Sequence, residues 1–176
     1  MNQIINNEKK KTLDIKKLKY ILPRYCRVAR YDDLLKHKTL KQAMGGHKVL
    51  VVLFNVHDSK HRVLNEPGHF FCISVANPKD GVVYFSSTGM SPDHEIFLTQ
   101  SDPGLLKRIL PKNFKYNDVQ LQKGKDTNTC WRWIIVFIHM CVRFTLREFQ
   151  RVFGSPSLHI NKSDDLIVLL TLLQLF

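Results

Sequence analysis

The apolar positions of this chain fall into short continuous runs separated by polar loops. The run KVLVVLFNV at 48–56 is apolar and β-branched, which predicts a buried strand. GHFFCISVANPKDGVVYFSSTG follows at 68–89. Its two apolar stretches, 70–76 and 82–86, flank Asn77-Pro78-Lys79-Asp80-Gly81 and predict two strands joined as a hairpin. CWRWIIVFIHMCVRF from 130 onward is apolar on nearly every face, so it is expected to be a central buried helix, with Thr127, Asn128 and Thr129 as N-cap candidates. Ser163 to Phe176, running LIVLLTLLQLF after Ser-Asp-Asp, predicts a second largely buried helix.

Weaker signals fill the gaps. Leu13, Leu18, Ile21 and Leu22 predict a helix over 12–22 that Pro23 ends. Residues 32–44 predict a short helical region closed by Gly45-Gly46, and 102–110 another after Asp102-Pro103. Residues 115–122 predict a strand. The sum is one α+β domain over 13–176, a short mixed sheet packed on a central helix, preceded by a basic flexible tail at 1–12. A chain of 176 residues is long enough for one domain with a real core.

Charge changes the picture more than composition does. Hydrophobic residues make up 44% and charged residues 24%, ordinary for a globular protein, but the net charge is +12. Residues 1–48 hold 13 Lys and Arg against four acids, so +9 of that charge sits in the first quarter. Such a cluster suits a polyanion, most often nucleic acid, although a solvated surface reads the same way. The longest apolar runs are too short to cross a bilayer. Cys26, Cys72, Cys130 and Cys141 show no CxxC spacing, which points to free thiols in a reducing compartment.

Candidate chemistry concentrates at two places. Cys130 stands at the expected start of the buried helix, after a polar, glycine-containing loop. A thiol there faces the positive end of the helix dipole, which favours the thiolate that a nucleophile needs. His69 opens the hairpin and is the candidate base and acid, with Gly68 expected to leave room for a substrate backbone. Each has a bland alternative: a small buried thiol, and a satisfied histidine at a strand edge.

The order and spacing of these residues resemble the adenain-like and SUMO-protease-like cysteine peptidases, most of all the virophage and adenovirus-like mobile-element branch. The likeness is carried by GHFFCISVANPKDGVVYFSSTGMSP, by LPRYCRVARYDDLLKHKTL and KVLVVLFNVHD before it, and by QLQKGKDTNTCWRWIIVFIHMC after it, roughly residues 20–150. The resemblance implies an endopeptidase that processes viral capsid or other structural precursors during virion maturation, in the virion or at an intracellular replication site. It implies no cofactor or metal, with activation by DNA or a peptide in prospect. Cys130 would attack, His69 would move the proton, and Gln122, or Gln120 in reserve, would donate to the oxyanion. Three positions depart from the pattern. Ser86, 17 residues after His69, stands where the family has Glu, Asp or Asn; Gln122 lies eight residues before Cys130 rather than six or seven; and Trp131 replaces a common glycine. Without a charge at Ser86, a dyad is expected.

Other readings compete. A deconjugating protease for ubiquitin-like proteins shares the motifs. A non-enzymatic nucleic-acid-binding module would use the basic first quarter, but Phe70, Phe71, Tyr84 and Phe85 lie in apolar runs that read as core. His57, His61, His69 and Cys72 are zinc-ligand types, but no second motif completes a four-ligand set.

Overall fold

The computed structural model describes residues 2–55, 68–124, 127–155 and 162–174. Its centre is a five-stranded sheet: β1 (Cys26–Arg30), β2 (Val49–Phe54), β3 (His69–Ser74), β4 (Val83–Phe85) and β5 (Lys115–Tyr116), in spatial order β1-β2-β3-β4-β5. β1 and β2 run parallel, β2–β3 and β3–β4 antiparallel, and β4–β5 parallel, so the sheet is mixed as the pattern predicts. Its central strands are buried on both faces, hence their continuous apolar runs.

One face packs on α6 (Cys130–Cys141), the predicted central helix, backed by α7 (Leu146–Phe153) and α8 (Ser163–Leu173). Val49, Val51, Phe70, Cys72, Val83 and Phe85 point to that side, and the Phe85 and Phe137 rings stack 3.9 Å apart. The alternate residues Leu50, Val52, Phe54, Phe71, Ile73 and Tyr84 face a second core. That core includes Ala43 and Met44 of α3 (Leu40–Met44), Ile96 of α4 (Pro92–Thr99), and α5 (Gly104–Ile109). Period-two alternation along each strand divides the two layers.

The hairpin is the expected one. Asn77 accepts from Lys79 N and Asp80 N, and Gly81 takes a positive φ of 67°. Asp80 then accepts from the N–H of Leu146, tying the turn to the start of α7. Because β3 and β4 are antiparallel, the start of one and the end of the other share one end of the sheet.

Several expectations need correcting. Residues 1–12 are not a featureless tail: α1 (Asn2–Lys9) forms, buries Ile5 and packs on α8. The helix expected at 12–22 is shorter, α2 (Ile15–Ile21), capped by Asp14. The strand expected over 115–122 pairs only at Lys115 and Tyr116. Gly68 does not open room for substrate: a Cβ there would lie 2.0 Å from the Phe54 carbonyl oxygen, so glycine is needed to let β2 approach. Of the zinc candidates, His57 and His61 fall outside the described residues, and no metal-ligating cluster occurs among the described ones.

Candidate active site

His69 and Cys130 meet at the sheet end where β3 starts and β4 stops. The buried run Phe70–Ser74 fixes β3 and so the direction of the imidazole, whose side chain is 21% exposed. Cys130, 8% exposed, is the first residue of α6, and it lies close enough to His69 to help raise the imidazole's pKa. Thr129 precedes it without capping the helix by its side chain, contrary to the N-cap expectation; its hydroxyl donates to Asp164 instead.

The other side of the imidazole holds a group that the spacing of motifs did not reveal. Nε2 lies 2.8 Å from Ser86 Oγ and 3.3 Å from Glu95 Oε1. Glu95 belongs to α4, is 3% exposed, and accepts from the hydroxyls of Tyr84, Ser86 and Thr88. Ser86 therefore lies against His69, but not as a neutral substitute for a carboxylate. Its hydroxyl donates to Glu95, so its oxygen faces the imidazole N–H. The charge missing at position 86 is supplied from position 95, and the dyad expectation gives way to a carboxylate-backed arrangement.

The electrostatics follow from this. Burial alone would push the His69 pKa down, but the Glu95 carboxylate and the Cys130 partner outweigh it and raise the pKa to about 10. Burial would likewise raise Glu95, yet the His69 charge and the Ser86 and Thr88 hydrogen bonds hold it below the usual carboxylate range. At neutral pH the pair is an imidazolium beside a carboxylate. With Nε2 engaged, Nδ1 is the ring nitrogen left for the thiol.

Ser87 serves the other half of the site. Its carbonyl accepts from Leu121 N and Gln122 N, both at 2.9 Å, and its hydroxyl donates to Gln122 Oε1 at 3.0 Å. A serine hydroxyl can donate or accept, so it is the Thr127 carbonyl, an acceptor only, that fixes which end of the amide carries the nitrogen. Gln122 Nε2 in turn donates to Thr127 O at 2.8 Å, leaving its second N–H as the candidate donor to a substrate oxyanion. Gln120 is exposed, and its amide donates to the Gln122 carbonyl, so the reserve candidate points away from this role. Trp131 turns its indole N–H to the carbonyl of Lys11 and its ring face to Arg132, away from Cys130.

The sequence matches no established family profile. It is similar to a virophage protein. That relative, protein V9 of the Sputnik virophage and itself uncharacterized, is 23% identical over 165 residues, covering 86% of this chain and 89% of its own length.

Motif reading missed Glu95. A signal for its helix was present in Ser91-Pro92-Asp93, an N-cap serine followed by proline and an acid in the first turn. Nothing in the spacing tells that the second acid of that turn faces inward, 26 residues after the histidine it contacts.

Proposed function

We propose that this chain is a cysteine endopeptidase that cleaves viral structural precursors during particle maturation. The observation that carries the reading is His69 set between a helix-start cysteine and a buried carboxylate held by three hydroxyls. A histidine that merely filled a strand edge would not need a buried anion, which is costly to place in a core without a cation. The similarity to a virophage protein supports the viral setting.

The chemistry follows from the groups present. The Cys130 thiolate attacks the scissile carbonyl carbon, forming a C–S bond while the carbonyl electrons move onto oxygen. The second Gln122 N–H and the backbone N–H of Cys130 receive that oxyanion. Collapse breaks the C–N bond, and the His69 imidazolium protonates the leaving amine. Neutral His69 then takes a proton from water, which attacks the thioester; the acid product leaves, and the thiolate–imidazolium pair is restored. Glu95, through Ser86 and directly, keeps the imidazole oriented and favours its protonated form.

Viral DNA is the proposed activating partner. Lys16, Lys19, Arg27 and Arg30 line one groove between α2 and the edge strand β1, a concentration of positive charge on one face.

The test is incubation with the structural precursors of the cognate virus, comparing wild type with Cys130→Ala and His69→Ala. The expected result is discrete cleavage by wild type alone. Cleavage by the Cys130→Ala protein at the wild-type rate would overturn the reading.

A further inference from the structure

The segment between Gln122 and Cys130 must hold a fixed shape if the glutamine amide and the Cys130 N–H are to converge on one oxygen. Its described residues, 123–124 and 127–129, contain no helix or strand, and its polar composition gives it no reason to keep one conformation alone. The tether comes from elsewhere in the chain. Asp164, in the first turn of α8 and 3% exposed, points its carboxylate at both ends of the segment. Oδ2 accepts from the backbone N–H groups of Lys123 and Gly124, each at 3.0 Å, immediately after Gln122. Oδ1 accepts from Thr129 Oγ1 at 2.6 Å, the residue before Cys130, and from Trp133 Nε1 at 3.2 Å, one turn into α6. Ser163 adds a hydrogen bond to the carbonyl of Leu121 at 3.0 Å.

We propose that Asp164 is a positioning residue for acyl transfer: it clamps Lys123 and Gly124 to Thr129 in the arrangement that forms the oxyanion site. The proposal rests on the reading of Cys130 as an acyl-transfer nucleophile. One carboxylate binding both ends of a loop sets their separation, which two independent hydrogen bonds would not do. For the thiolate its charge is no benefit, because two anions beside one helix start repel each other. The gain is geometric, and misplacing an oxyanion donor by about 1 Å is enough to cost orders of magnitude in rate.

Two reactions of the same thiol separate this role from a merely structural one. Alkylation by iodoacetamide needs the nucleophile but no oxyanion site. Acylation by a p-nitrophenyl ester passes through a tetrahedral oxyanion and needs no particular cleavage sequence. In the full-length chain, Asp164→Asn is expected to leave the rate of Cys130 alkylation within about twofold while ester acylation falls by ~10- to 100-fold, up to the loss of one oxyanion donor. Thr129→Val, which removes one clamp bond and keeps the shape, is expected to show the same split to a smaller degree. It serves as the deciding variant should Asp164→Asn not fold. Parallel loss of both reactions, or no loss of either, overturns the proposal. Ester acylation by wild type without any precursor cleavage would defeat the endopeptidase reading and still decide the role of Asp164. A wild-type Cys130 that resists acylation overturns both.

Discussion

Neutralising Glu95 while keeping its shape should bring the His69 midpoint down to near neutrality, so that the ring is no longer fully charged there. The Glu95→Gln side chain can still accept from the Ser86 and Thr88 hydroxyls but carries no charge. Unit charges 3.3 Å apart, the His69–Glu95 distance, attract by about 5 kcal/mol at an effective dielectric constant near 20. At 1.36 kcal/mol per pH unit this is about 3.7 units, close to the rise from 6.5 to about 10. Burial opposes that rise and Cys130 contributes to it, so removing Glu95 is expected to lower the midpoint by about three pH units. The assay is an NMR titration of histidine labelled at Cε1, with a His69→Asn sample to assign the resonance. A Glu95→Gln midpoint within one pH unit of wild type, or a wild-type midpoint near 6.5, would refute the reasoning.

Other outcomes follow from the same geometry. Ser86→Ala removes the bridging oxygen but leaves the direct 3.3 Å contact, so turnover should fall by about tenfold or less, against about 100-fold or more for Glu95→Ala, measured as kcat/KM. The pair also shapes stability. His69 is raised in the fold, so its contribution is full below about 6.5 and is lost as pH rises towards about 10. The stability difference between wild type and Glu95→Gln in urea titrations should therefore narrow across that window; a constant difference would contradict the assignment. Lys16→Glu with Lys19→Glu should abolish any stimulation of cleavage by DNA at low salt while leaving DNA-free activity unchanged. No effect of DNA on the wild-type protein would remove that partner from the account.

What could be read from the sequence was what local pattern controls. The strands of the sheet centre and α6 are apolar runs, and the Asn77–Gly81 turn has its chemistry written in its residues. β1 escaped notice because CRVAR places two arginines in an edge strand. α1 reads as a polar tail because one buried isoleucine and two charge pairs, Glu8–Arg132 and Lys9–Asp165, hold it in place. The same distinction divides the site. His69, Cys130 and Ser86 sit on or beside elements whose patterns are strong, and Ser87 ties Gln122, which lies on no element, to the same sheet end. Glu95 and Asp164 act across 26 and 34 positions from His69 and Cys130 respectively, so only tertiary packing shows what they face.

The central claim is that His69 makes Cys130 a nucleophile unlike the other thiols. Burial pushes Cys26 up to about 12 and raises Cys72 and Cys141 as well, so none of these should compete at neutral pH. Substoichiometric iodoacetamide at pH 6.5, followed by peptide mass mapping, tests this directly. The account predicts modification of Cys130 first, slowed by at least about tenfold in His69→Ala. Equal labelling of the cysteines, or a Cys130 rate indifferent to the loss of His69, would contradict it.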